Sequence, residues 1–304
     1  MGDTGTIVVI GNFDGVHRGH RAVLAEANRL ADQAAPGTGR VVAVTFTPHP
    51  MEIVRPAVAP RRLTNDTERR VLLRAAGADE VVEVEFTHEV SRWTPAEFVT
   101  RVIDPIDPEL VVVGENFRFG HRAAGDPAQL AELGRGRFTV DTLALQADAC
   151  SSTKIRKAVA DGDVEHAADL LGRPYRFSGT VVEGHRRGRE LGFPTANLPV
   201  GPRQLAPADG IYAGWLTRFD EPDTPRLPAA ISVGTNPTFD DVPATVVEAH
   251  VLDRDDLELY GVEVAVDLVS RLRGNVKFEG IEALMAQIAH DVEDVRRRLE
   301  LESA

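Results

Sequence analysis

The sequence predicts an α/β domain with a doubly wound parallel sheet, followed by a small closed antiparallel β-barrel that ends in a helix. Two observations carry this. In the first half, all-apolar runs alternate with helix-period stretches, the pattern of parallel βαβ units buried on both faces. After Gly172-Arg173-Pro174-Tyr175 the texture changes to short β-rich runs between Gly/Pro turns, with no helix-length pattern until Ile281. A chain of 304 residues is long enough for two cores, and this joint divides it into residues 1–172 and 173–304.

Thr6 to Ile10 (TIVVI) reads as the first buried strand. Gly11 and Gly15 permit a tight turn, and Val23, Leu24, Ala27, Leu30 and Ala31 then fall on one helical stripe. A strand, a glycine-punctuated loop and a helix N-terminus make a site for an anion. His17 and His20 add two imidazoles there, able to donate hydrogen bonds to phosphate oxygens. An ordinary α/β turn with idle histidines also fits the bare pattern; a zinc pair lacks a Cys or third ligand at metal spacing.

Residues 40–46 read as a second strand, stopped by Pro48 and Pro50 around His49. His49 is either an idle loop residue or a third group at the pocket. Residues 67–76 and 95–103 read as helices, the latter capped by Thr94, and residues 80–84 and 110–113 as strands. Ligands on such sheets bind beyond the carboxyl ends of the strands, which places Asn12, His49 and Asn116 together. Asn116 offers a donor and an acceptor to a ring edge. Phe117 and Phe119 either stack on a ring or fill the core. Ser151-Ser152-Thr153-Lys154-Ile155-Arg156 is either an ordinary helix start or a phosphate clamp. A short helix follows, capped by Asp163 and stopped by Gly172.

In the second half, residues 177–182, 210–216, 229–233, 245–252 and 262–272 read as strands, and five or six such strands suggest the barrel. Val262, Val264, Val266 and Leu268 alternate with polar or small residues, as in a sheet buried on one face. Ile281, Leu284, Ile288, Val292, Val295 and Leu299 form a helical stripe to pack against it. The stretch Gly184 to Asn197 carries three arginines among glycines, either a solvated flap or a loop closing over polyphosphate. Thr195 and Asn197, two apart, face one side of an extended chain and suit one Mg²⁺ with phosphate oxygens. Glu248 shares a face with His250, as a solvent-facing carboxylate or as the base that a kinase needs.

Apolar content of 43% and charged content of 27% are those of a soluble protein, and a net charge of −13 argues against nucleic acid or an anionic membrane as partner. Lys154, Lys157 and Lys277 are the only lysines, so arginine does the cationic work. Cys150 is the single cysteine, no run reaches transmembrane length, and the first residues do not open a signal peptide. A cytoplasmic protein is expected, with a homo-oligomer left open.

The motifs add a resemblance that covers nearly the whole chain. GNFDGVHRGH resembles the signature of the HxGH nucleotidyltransferases, within them the FAD synthetases, and TFTPHP, GENFRFG and SSTKIR match that family's further strings. RGRELGFPTAN resembles the signature of riboflavin kinases, as do GIYAG and GTNPTF. The chain thus resembles the bifunctional riboflavin kinase/FMN adenylyltransferases, which implies a Rossmann-like nucleotidyltransferase domain and a six-stranded kinase barrel. The resemblance implies ATP and Mg²⁺, with riboflavin, FMN and FAD as further partners. It places His17, His20 and Arg156 in adenylyl transfer, and Gly11, Phe13, Asn116, Ser152 and Thr153 around the nucleotide. His49 and Phe117 would line the flavin. In the kinase it implies Glu248 as base, Thr195 and Asn197 at the metal, Gly184 and Arg189 at the nucleotide and Phe193 at the flavin. Tyr260, Arg271 and Phe278 would be structural or flavin-lining. The chain departs from the family at Ala149, where many relatives have arginine, at His185, where they often have Asp, and in a short N-terminal segment. Those departures leave as rivals a kinase with an impaired first domain, a non-catalytic flavin-binding regulator and a nucleotidyltransferase for another alcohol phosphate.

Overall fold

Thr6–Ile10 (β1) lies in the middle of a five-stranded sheet, and all five of its residues are buried. The computed structural model describes residues 5–143, 150–184, 192–221, 223–237 and 243–301. They divide into two units, one ending at Ser152 and the other beginning at Thr153.

The first unit runs β1, α1 (Arg18–Ala34), β2 (Arg40–Thr47), α2 (Pro50–Val54), α3 (Asp66–Ala75), β3 (Glu80–Glu85), α4 (Pro95–Phe98), β4 (Leu110–Gly114), α5 (Pro127–Gly134) and β5 (Thr139–Leu143). The strands are all parallel, in the order β3-β2-β1-β4-β5. The apolar runs are double-faced because alternate residues feed two cores. Val8, Ile10, Val42, Val44, Val111 and Val113 pack with Phe98, Leu130 and Phe138. Ile7, Val9, Val41, Ala43 and Val112 pack with Leu24, Ala27, Ala31 and Leu73. The chain departs in opposite directions from the adjacent strands β1 and β4, so a crevice opens beyond their carboxyl ends.

Four elements differ from the sequence reading. The helix expected over 95–103 ends at Phe98 and widens into a π-turn over Val99–Ile103. Pro105 has no N–H to continue the ladder. The strand β5 is an edge strand whose residues are exposed or half-buried, so it lacks the apolar run that marks its neighbours. Helices α2 and α5 also went unread, each entered through a proline in its first turn.

α6 (Ser152–Asp161) begins at the last residue of the first unit. The second unit continues with α7 (Val164–Leu171), β6 (Tyr175–Thr180), β7 (Ala196–Pro199), β8 (Gly210–Arg218), β9 (Leu227–Pro237), β10 (Pro243–Val251), β11 (Glu263–Arg273) and α8 (Ile281–Arg298). As expected, the Asp163 side chain caps α7 and Gly172 ends it at φ +74°. Six antiparallel strands follow the order β6-β11-β8-β9-β10-β7. The two edges meet where the Val182 N–H donates to the Asn197 carbonyl at 2.9 Å, which closes the sheet toward a barrel.

β11 departs from the one-faced pattern, because Ala265 and Asp267 are buried as well as Val264, Val266 and Leu268. Helices α7 and α8 pack on this strand, and Asp267 is held by both Arg176 nitrogens at 2.7 Å. Breaks in register at Leu268/Ser270 and Arg271/Arg273 mark where β11 bends. Arg271 is structural here: its guanidinium donates to the Asp209 carbonyl at 2.7 Å and its backbone N–H to Glu165 at 3.2 Å. On α8 the C-terminal part of the stripe does the packing, with Val295 fully buried beside Ala213 and Leu252, whereas Ile281 is 61% exposed. Ion pairs of Arg273 with Asp291 and of Arg296 with Asp253 fix the helix.

Leu24→Ala should lower the unfolding free energy by about 3 kcal/mol, through lost burial and a residual cavity. Glu26→Ala, whose side chain pairs with Arg29 at the surface of the same helix, should leave it close to the wild-type value. Urea denaturation of both variants checks the pair.

Candidate active sites

The loop after β1 is built on a buried carboxylate. One oxygen of Asp14 accepts from the Leu63 N–H at 2.9 Å, the Thr64 N–H at 3.2 Å and the Thr64 hydroxyl at 3.4 Å. The Gly15 N–H donates to Thr64 Oγ1 at 3.2 Å. The backbone carbonyl of Asp14 accepts from Ser152 Oγ at 2.9 Å, which sets the start of α6 against this loop. Upstream, the Gly11 N–H donates to the Val44 carbonyl at 3.1 Å. Between these ties the chain turns sharply enough to hold Phe13 and Val16 at φ +49° and +38°. Both side chains are buried, and that burial offsets the strain.

The turn delivers His17 as the N-cap of α1, where its Nδ1 accepts the His20 N–H at 3.4 Å. With Nδ1 as acceptor, the proton of the imidazole sits on Nε2, which is then a hydrogen-bond donor. The His17 and His20 rings stack with centroids 3.6 Å apart and planes 17° from parallel. Phe13 meets His20 edge to face at 5.2 Å. A Cβ at Gly19 would lie 3.2 Å from the His17 ring, so a glycine between the histidines gives the ring its room. Burial holds the His20 pKa well below its usual value, and the adjacent His17 lowers it further. His20 is therefore held neutral near pH 7.

Beyond the carboxyl ends of β1, β2 and β4 opens a cavity of about 970 Å³. Of the residues expected at the site, Gly11, His49, Asn116 and Phe117 line it, together with Asn12. His49 is nearly buried and caps α2, its Nδ1 accepting from the Met51 N–H at 3.2 Å. The cavity wall also includes Phe46, Phe86, Trp93 and Phe98, none of which the sequence pointed to. Phe117 stacks on Phe119 at 5.5 Å; both rings line the cavity, and Phe119 also belongs to the buried core against which Phe117 packs. His17, His20 and Phe13 are not among the cavity's lining residues.

In the second unit, strand register brings the expected residues together. Asn197 on β7 is the direct cross-strand partner of Glu248 on β10, and Ser232 on β9 faces Glu248 from the other side. Val247 and Ala249 are buried, so Glu248 stands on the opposite face of β10. The Asn197 amide donates to the Thr195 carbonyl at 3.2 Å and to its hydroxyl at 3.4 Å. A Cβ at Gly184 would lie 2.6 Å from the Asn197 amide, so only glycine lets this backbone approach so closely. Phe193 packs edge to face on His250 at 5.2 Å, and His250 Nδ1 lies 3.0 Å from the Pro194 carbonyl. Thr153 and Arg156 lie at the start of α6. Arg189, His185 and Ala149 lie outside the described residues.

Residues 2–155 match the FAD synthetase family model and residues 171–299 the riboflavin kinase model. Over 300 residues the chain is 36% identical to the bifunctional riboflavin kinase/FMN adenylyltransferase of Listeria monocytogenes, covering 97% of this chain and 92% of the relative. This chain belongs to the bifunctional riboflavin kinase/FMN adenylyltransferase family. The family member of Escherichia coli K12 is 35% identical over 293 residues, with 94% and 90% covered. A solved structure described as a macrolide-efflux protein from Streptococcus pneumoniae superimposes with a TM-score of 0.81 at 30% identity, covering 96% of this chain and 93% of the other. Among the described residues of this family member, no helix is long and apolar enough to cross a membrane.

His20 gives a test by pH. Its folded pKa lies below the unfolded value of 6.5, so the unfolded state binds more protons as pH falls. Stability from this group is complete above the unfolded pKa and declines below it, by up to about 1.4 kcal/mol per pH unit. His20→Asn should flatten the difference in urea stability between about pH 7.5 and about pH 5.5. An equal slope in both proteins contradicts the buried, neutral imidazole.

Proposed function

We propose that the chain makes FMN and FAD at two separate sites, one for each reaction. What supports the reading is one grouping in each unit: the stacked histidines at the start of α1, and Asn197 across from Glu248. Residues 1–172 are assigned to adenylyl transfer and 173–304 to the kinase.

In the kinase, Glu248 orients the 5′-hydroxyl of riboflavin and takes its proton as that oxygen attacks the γ-phosphorus of ATP. The bond to the β-phosphate oxygen breaks, leaving FMN and ADP. Thr195 and Asn197 are the residues that would hold Mg²⁺, which when bound would supply positive charge against the phosphates. The fit is that of an ion arriving with its nucleotide. A hydroxyl and an amide adjoin, and among the described residues no group of three His, Cys, Asp or Glu forms a cage. Gly184 and Arg189 contact the nucleotide, and Phe193 the flavin.

In adenylyl transfer, a phosphate oxygen of FMN attacks the α-phosphorus of a second ATP, and pyrophosphate leaves. His17 and His20 donate hydrogen bonds to the phosphate oxygens as charge builds on them. Ser152, Thr153 and Arg156 bind the polyphosphate, with Gly11, Phe13 and Asn116 at the nucleotide. His49 and Phe117 line the flavin in the cavity. Positioning and charge stabilisation suffice, with no covalent intermediate. A net charge of −13 and a single cysteine support the reading of a cytoplasmic enzyme with small-molecule partners rather than nucleic acid.

The two variants Glu248→Gln and His20→Ala separate the sites. Glu248→Gln should form FMN at least about 100-fold more slowly yet convert supplied FMN to FAD at the normal rate. His20→Ala should do the reverse, with FAD formation down by about 100-fold or more. Chromatography of the flavins reads both, and a Glu248→Gln protein with undiminished FMN formation overturns the assignment of the base.

A further inference from the structure

The cavity beyond β1 and β4 has a charge character opposite to that of the protein. The chain carries 47 acidic residues, yet no Asp or Glu is among the described residues lining this cavity. Arg55, Arg118 and Arg122 line it instead, and each is exposed. Among the described residues none of the three has a carboxylate partner. Other arginines of the same unit do: Arg62 pairs with Glu52 and Asp66, Arg70 with Glu83, Arg101 with Glu97 and Arg137 with Asp104. Arg118 donates only to the carbonyl of Phe117 beside it, at 2.8 Å.

These side chains stand on anchored backbone. Phe119 and Gly125 exchange both backbone hydrogen bonds, at 3.1 and 2.8 Å, so Arg122 sits at the tip of a closed loop. The His121 N–H donates to the Trp93 carbonyl at 2.7 Å, and its Nδ1 lies 3.0 Å from the Ser91 carbonyl, which ties the loop to the cavity wall. Arg122 and Ala123 are both held in the left-handed region, at φ +54° and +58°. Arg55 follows α2 directly, its N–H bonded to the Met51 carbonyl at 2.9 Å.

We propose that Arg55, Arg118 and Arg122 make this cavity a charge filter, which takes the flavin by the negative charge of its phosphate and disfavours the neutral, unphosphorylated flavin. The proposal rests on reading the cavity as the flavin site of adenylyl transfer. The two flavins share one ring system, so the aromatic wall binds both alike and cannot separate them. A phosphate monoester near pH 7 brings a charge between about −1.5 and −2. An acidic protein repels it at long range, whereas three unpaired guanidinium groups at an acid-free mouth reverse the local field and raise the encounter rate. The consequence is that riboflavin, the substrate of the barrel, competes weakly for the second site.

The test is the triple variant Arg55→Gln/Arg118→Gln/Arg122→Gln, in the full chain. Its KM for FMN in FAD formation should rise about tenfold, with the loss falling on KM rather than on kcat. The constant for inhibition of that step by riboflavin should stay within about twofold of the wild type, because no charge is read there. The wild-type KM should climb with ionic strength and the variant's should not. The kcat of FAD formation at saturating FMN, read in the same unit, serves as the folding control. An FMN KM within about twofold of the wild type overturns the filter. So does an equal loss of riboflavin inhibition, since the side chains would then only shape the cavity. A wild-type protein that forms no FAD from FMN overturns the reading of the cavity itself, and the filter with it.

Discussion

The adenylyl site depends on the buried carboxylate of Asp14. It accepts two backbone N–H groups and one hydroxyl from Leu63 and Thr64, while its own carbonyl accepts from Ser152. Three segments far apart in sequence are thus fixed at one residue, midway between the end of β1 and the first histidine. Everything downstream follows from that fixation. Val16 stays in the left-handed region, His17 arrives as a cap, and His20 comes round one turn later to stack on it. The tether adds to the burial of both side chains in holding a positive φ at phenylalanine and valine.

The kinase site is fixed in a different way, by strand register. A one-residue slip of β7 against β10 would carry Asn197 to the other face and away from Glu248. The closing bond from Val182 to Asn197 and the close approach of Gly184 guard that register from the far edge. A loop tied by one side chain and a barrel closed on itself are independent devices. On the proposed assignment, this is why a change at one site is expected to spare the other reaction.

Much of this was legible in the sequence because its informative residues are local. The central strands β1, β2 and β4 are apolar on both faces and announce themselves, and Asp163 and Gly172 bound α7 as read. The edge strands β5 and β7 were not legible, since half-exposed or four-residue strands carry no period. Among site residues, the histidines and the Asn197–Glu248 pair stand in specific strings, and register then joins them. Trp93, Phe86 and Arg122 were missed because they reach the cavity from segments without helix or strand periodicity. Asp14 reads as a turn residue until Leu63 and Thr64, 49 and 50 positions away, are brought beside it.

The central claim is that one chain runs both reactions in sequence. The most direct measurement is a time course of flavins formed by the purified wild-type protein from riboflavin, ATP and Mg²⁺. The account predicts that FMN rises first and then gives way to FAD, with ADP and pyrophosphate released in turn. FMN that accumulates with no FAD would contradict an active first domain. Riboflavin that stays unconverted while bound would contradict the enzyme altogether.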